Sequence, residues 1–101
     1  MKVYLDDLRP TPEGYDVRVY TAQGAVDVLL SGHVTTISLD NDLGEGDPHP
    51  GEGRDVASWI EAAAFNGTIP PCRILVHSAN PVARDYMFQA IKNAYRYWGI
   101  S

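Results

Sequence analysis

Val34-Thr35-Thr36-Ile37-Ser38-Leu39-Asp40-Asn41-Asp42-Leu43-Gly44 opens on four β-branched residues and closes on two aspartates and a glycine. The β-branched run has no breaker and reads as a buried strand. Asp40 and Asp42 therefore stand where a strand ends and a loop begins. In open α/β sheets, ligands bind at the carboxyl ends of the strands. Two further strand-like runs also end in polar residues. Lys2-Val3-Tyr4-Leu5 runs into Asp6-Asp7, and Arg73-Ile74-Leu75-Val76 runs into His77-Ser78. Neighbouring strands lie about 5 Å apart, so parallel strands would bring the three endings within roughly 10 Å of one another.

The rest of the chain fits such a sheet. Asp6 to Gly14 holds Pro10, Pro12 and Gly14, so it is a loop and not a helix. Asp16 to Tyr20 alternates polar and apolar residues, as an edge strand does. Thr21 can cap a helix whose stripe is Ala22, Ala25, Val26, Leu29 and Leu30, with Gly32 as its stop. Glu45 to Gly53 is too rich in glycine and proline for regular structure and reads as a flap. A second helix begins at Arg54 or Asp55, carries Val56, Trp59, Ile60 and Ala63 on one face, and ends at Asn66-Gly67. Pro70-Pro71 precede the strand Arg73 to Val76. Asn80-Pro81 starts a last helix that runs to about Trp98 and ends at Gly99. The order is β-loop-β-α-β-α-β-α. Helical crossovers favour a parallel sheet with right-handed connections. The expected fold is α/β: one three-layer domain over residues 1–101, with four parallel strands in the order 2-1-3-4. It is a shortened flavodoxin-like or receiver-like fold with no sequence left for a fifth strand.

Composition sets limits on function. The chain has 101 residues, 45% of them hydrophobic, and a formal net charge of -5. Such a chain forms one domain with a modest core. An acidic surface argues against an extended nucleic-acid interface, but it leaves room for a small anion held by local donors and a metal ion. The single cysteine, Cys72, excludes an intrachain disulfide. No apolar run approaches the ~20 residues of a membrane span, and MKVYLDD has no signal-peptide pattern. A reducing, cytoplasmic setting is expected, with no membrane and no obligate protein partner evident.

Asp6, Asp7, Asp40 and Asp42 could crowd several carboxylates into one space. Like charges that close repel unless a cation sits among them. A hard divalent cation, Mg²⁺ or Mn²⁺, takes oxygen ligands and keeps waters that a phosphate can replace. We place the metal on Asp6, Asp7 and Asp40. The plainer reading of the same acids is solvated loop residues or turn formers. His77 can act as an acid or base near neutral pH, or can be a histidine hydrogen-bonded at a strand end. Together with Asp40 and Asp42 it forms the expected catalytic group. Ser78, Asn80 and the first turn of the last helix offer an anion site. Arg84 lies near that turn, and Arg9 in the first loop can clamp a phosphate.

The motifs Leu5-Asp6-Asp7, Ser38-Leu39-Asp40-Asn41-Asp42-Leu43-Gly44 and Val76-His77-Ser78-Ala79-Asn80-Pro81, in this order and spacing, resemble the cyclic-phosphate processing receiver-like domain family. The resemblance spans nearly the whole chain and includes Asp55-Val56 and Trp59-Ile60. It implies a receiver derivative that keeps an acidic pocket and acts on cyclic phosphates of nucleotides or RNA ends, in phage and bacterial conflict. The family's acidic residues map onto Asp6, Asp7, Asp40 and Asp42, and its His-Ser-x-Asn motif onto His77, Ser78 and Asn80. Asn41 departs from the family's usual Leu-Asp-His-Asp. Asparagine can bond a ligand but cannot take up a proton at neutral pH.

The function expected first is a metal-dependent phosphodiesterase that opens a cyclic phosphate. Asn41 keeps a second reading open, a module that sequesters a cyclic nucleotide without cleaving it. A third is a signalling receiver with Asp40 as phosphoacceptor. That reading wants a lysine at the end of a fifth strand, where this chain places none.

Overall fold

The computed structural model describes residues 1–100. Its elements are β1 (Lys2–Leu5), β2 (Val17–Val19), α1 (Ala22–Leu30), β3 (Thr36–Leu39), α2 (Gly53–Asn66), β4 (Arg73–Val76) and α3 (Pro81–Tyr97). The four strands form one sheet in the order β2-β1-β3-β4, and every pairing is parallel. The segment before β2 is the proline loop, so only the two later crossovers are helical.

Each helix starts and stops on local chemistry. Thr21 Oγ1 accepts from the Gly24 N–H at the head of α1. Asn80 Oδ1 accepts from the Ala83 N–H at the head of α3, with Pro81 in the first turn. Gly67 ends α2 at a φ of 71°, a left-handed conformation that glycine adopts at little cost. Two strands are shorter than their hydrophobic runs suggest, β2 at Val17–Val19 and β3 at Thr36–Leu39. Helix α2 begins at Gly53, one residue ahead of the expected start, because the Gly53 N–H is bonded to the Asn41 carbonyl at 2.9 Å.

Side chains alternate across a sheet, so each strand shows odd and even positions to opposite faces. Val3, Leu5, Ile37, Leu39, Ile74 and Val76 face one way and join one core with Leu29, Val56, Ile60, Met87 and Ile91 of the helices. Both helical crossovers move in the same direction across the sheet, which puts their helices on that same face. The other face carries Tyr4, Ser38 and Leu75, with Asp6, Asp40 and His77 at its end. No helix covers it. The loop after β1 does: Tyr15 packs edge-on to Tyr4 at 5.2 Å, and Arg9 reaches the His77 carbonyl at 2.8 Å. The layering is therefore asymmetric, with helices outside one face and a loop outside the other. No helix among the described residues is long and apolar enough to cross a membrane.

Candidate functional site

The site follows from strand register. Leu5 lies opposite Leu39, and Leu39 opposite Val76. The next row is Asp6, Asp40 and His77. Two backbone bonds carry the ladder into it, Asp40 N–H to the Leu5 carbonyl at 3.0 Å and His77 N–H to the Leu39 carbonyl at 3.0 Å. All three side chains point to the loop-covered face. One donor atom from each lies within 4.8 Å of the other two.

Asp6 is 0% exposed. Its Oδ1 accepts from the Leu8 and Arg9 N–H groups at 2.8 and 2.9 Å, and its Oδ2 lies 3.0 Å from His77 Nε2. Burial pushes this carboxyl up, but the Arg9 and Leu8 amides and His77 outweigh it and hold it below the usual range. Asp40 goes the other way. Burial, helped by the charge of Asp6, raises it against the Asn41 N–H that bonds its Oδ1 at 2.8 Å. Two carboxyls pushed apart by their surroundings are a pattern of acid–base sites.

His77 is held on every side. Its ring stacks on Tyr4 at 4.5 Å and 7°, and its Nδ1 lies 2.7 Å from Ser38 Oγ. Tyr4 and His77 sit on strands β1 and at the end of β4, with β3 between them. They can meet because the intervening β3 residue on that face is the small Ser38. Arg9 supplies the nearby positive charge, with Nε 4.0 Å from Asp6 Oδ2. Arg18 Nε bonds the Asp6 carbonyl at 2.8 Å and fixes the loop's first residue.

The donor set suits a divalent cation. Octahedral ligands about 2.1 Å from a metal stand about 3 Å apart when adjacent and about 4.2 Å apart when opposite. His77 Nε2 and Asp6 Oδ2 stand 3.0 Å apart, the adjacent spacing, and one donor atom of each residue lies within 4.8 Å of the others.

The other residues singled out in the sequence lie differently. Asp7 alternates to the opposite side of the sheet edge, against Gly44. A Cβ on Gly44, whose φ is 85°, would stand 2.9 Å from Asp7 Oδ2. Asp7 lines a separate cavity of about 350 Å³ with Tyr20, His49 and Pro50. Asp42 forms an antiparallel bridge with Glu52. Asn41 is 1% exposed. Its Nδ2 donates to Asp42 Oδ1 and Glu52 Oε2 at 3.1 and 3.0 Å, and its Oδ1 accepts from the Arg54 N–H at 3.1 Å. It ties the β3 loop to the head of α2 and offers no surface to a ligand. Ser78 is buried and its Oγ accepts from the Asn80 N–H at 3.1 Å, so Ser78 and Asn80 build the start of α3. Arg84 lies over the Phe88 ring at 5.8 Å, one turn further along the helix. Of the two arginines considered for phosphate, the structure brings Arg9 to the acidic pair.

Sequence reasoning assigned no role to Ser38, Tyr4, Arg18 or Gly53. Ser38 and Tyr4 carried a readable signal, since they share the face of Asp40 and Asp6 by strand alternation. Gly53 carried none. A Cβ there would stand 1.8 Å from the Asp40 carbonyl oxygen. Two other cavities, of about 480 and 460 Å³, lie beside Tyr95 and Ile100, and no acid or histidine lines them.

A parallel 2-1-3-4 sheet with acids after its first and third strands defines a receiver-like α/β domain. His77, at the end of β4, stands beside those acids. The family model of the cyclic-phosphate processing receiver domain matches residues 1–93, and the chain belongs to that family. No curated protein and no solved structure matches it.

Proposed function

We propose that the protein is a metal-dependent phosphodiesterase that opens cyclic phosphates of nucleotides or of RNA ends. The observation that carries the reading is the meeting of Asp6, Asp40 and His77 at the carboxyl edge of the sheet, in a family described as cyclic-phosphate processing. Asp6, Asp40 and His77 would hold Mg²⁺ or Mn²⁺. The imidazole favours Mn²⁺, since nitrogen ligands suit the softer ion. When bound, the ion supplies a Lewis acid for a phosphoryl oxygen and lowers the pKa of a bound water.

The chain's own groups supply the rest. Asp40 Oδ1 is occupied by the Asn41 N–H, while Oδ2 has no hydrogen-bond partner among the described residues. A carboxylate with a free oxygen beside the cation can take a proton from an attacking water. Arg9 sets a guanidinium beside the pair for the phosphate charge. The expected product is a ring-opened phosphomonoester. The phosphoacceptor reading lacks its lysine here: Lys2 opens β1 at the far end of the strand, and Lys92 lies in α3.

The test is incubation with 2′,3′-cyclic and 3′,5′-cyclic nucleotides, with and without Mg²⁺ or Mn²⁺, read by chromatography. Turnover should require metal and fall by about 10² to 10⁴ in Asp40→Asn. Tight binding with the nucleotide returned intact after long incubation would sink the catalytic reading in favour of sequestration.

A further inference from the structure

Ser38 is 4% exposed, and its hydroxyl has one side-chain partner, His77 Nδ1 at 2.7 Å. The opposite ring nitrogen, Nε2, faces Asp6 Oδ2 at 3.0 Å. Asp6 Oδ1 already accepts two backbone N–H groups. An ionised carboxylate only accepts, so the proton between Asp6 and His77 belongs to Nε2. A neutral imidazole with its proton on Nε2 presents a lone pair at Nδ1, and Ser38 must then donate to it. A cation on Nε2 reverses this order. The lone pair must face the metal, the ring proton must stand on Nδ1, and its neighbour must accept. A hydroxyl is the side-chain group that can do both by rotating about its C–O bond.

We propose that Ser38 is a positioning residue that fixes the His77 tautomer in both states. It donates to Nδ1 while Nε2–H is bonded to Asp6, and it accepts from Nδ1–H when Nε2 ligates a divalent cation. The proposal rests on the reading that Asp6, Asp40 and His77 hold the cation. Protons balance without an added acid or base. The ring loses one proton at Nε2, gains one at Nδ1 from solvent, and stays neutral. The ligand histidine thereby acquires the outer partner that orients such rings and raises their basicity. Ser38 is also small enough to leave Tyr4 and His77 stacked at 4.5 Å above it, so alanine removes the hydroxyl while keeping the space.

Two measurements test this. Long-range ¹H–¹⁵N spectra of the metal-free wild type should show His77 Nε2 protonated and Nδ1 as a lone-pair acceptor, and Zn²⁺ should move the proton to Nδ1. Calorimetry with Mn²⁺ should show affinity ten- to a hundredfold weaker in Ser38→Ala, and mostly restored in Ser38→Thr, which keeps the hydroxyl. A metal-free ring protonated on Nδ1 would overturn the proposal, and this reading needs no variant to fold. Mn²⁺ affinity in Ser38→Ala within twofold of wild type would also overturn it. Wild type that binds neither ion would overturn the cation reading and the metal-bound half of the role. The metal-free tautomer would then decide the other half alone.

Discussion

Asp6 and Asp40 stand one strand apart in the same row, and their surroundings treat them oppositely. Asp40 is raised, by burial first and by the charge of Asp6 after it. At pH 7 its ionised form therefore opposes folding of the metal-free protein. Asp40→Asn should melt at a higher temperature than wild type at pH 7 without metal, and should bind Mn²⁺ more weakly. A folded pKa above the ordinary 3.8 gives stability that is full below 3.8 and lost as pH rises through the folded value. The advantage of the variant should therefore shrink as pH falls, and close below 3.8. Asp6 has the opposite sign. Burial raises it, but the Arg9 and Leu8 amides and His77 outweigh that and depress it. Its stabilisation is full above 3.8 and is lost as pH falls through the lowered value. Asp6→Asn should melt below wild type at pH 7. Thermal unfolding of the three proteins across this range checks both signs, and equal shifts for the two variants would refute the account.

At the scale of elements, the site depends on how closely α2 approaches the end of β3. Gly53 opens α2 with its N–H on the Asn41 carbonyl. A Cβ on it would stand 1.8 Å from the Asp40 carbonyl oxygen and 2.9 Å from Asn41 Cα. Backbone atoms cannot turn aside as a side-chain tip can, so the helix or Asp40 must move. Gly53→Ala should cost about 3 kcal/mol, the upper part of the overpacking range, and should weaken Mn²⁺ binding because Asp40 is displaced. Gly67 provides the comparison. A Cβ there meets nothing within 4 Å, and only its φ of 71° opposes substitution. Gly67→Ala should cost about 1 kcal/mol and leave Mn²⁺ affinity unchanged. Urea denaturation gives the stabilities, and calorimetry gives the affinities. Equal losses of metal binding in both variants would separate Gly53 from the site. The Asn41 amide strengthens the same junction through Asp42, Glu52 and the Arg54 N–H. Asn41 therefore has a structural role at this junction.

Across the whole molecule, charge limits what the site can grip. The net charge is -5, with eight lysines and arginines in all. Of these, Arg9 lies beside the Asp6 carboxylate and Arg18 bonds the Asp6 carbonyl, while Lys2 lies over the Tyr15 ring. Strong binding of a nucleic-acid backbone draws on many phosphate contacts. A long single-stranded RNA without a cyclic end should therefore show no retardation in a native gel at physiological salt, with or without Mn²⁺. Retardation would point to a phosphate track that the present charge distribution does not show.

Much of this was legible along the chain because its signals are local. β-branched runs, helical stripes, Asn80-Pro81 and Asn66-Gly67 mark the elements, and the helical crossovers mark a parallel sheet. The strand order and the meeting of Asp6, Asp40 and His77 follow from them, since parallel strands share one carboxyl edge. Strand alternation likewise separates Asp6, toward His77, from Asp7, toward Gly44. What the sequence could not determine is which neighbours pack around each of these side chains. Asn41 reads as a ligand-facing amide until the start of α2 buries it. Arg9 and Arg84 are both arginines near strand ends, and only the fold of the first loop carries Arg9 to the acids. Those outcomes rest on contacts between segments far apart in the chain, such as Gly53 on Asp40 and Arg9 on His77. Only the packed molecule decides them, because each depends on which neighbour occupies the remaining space.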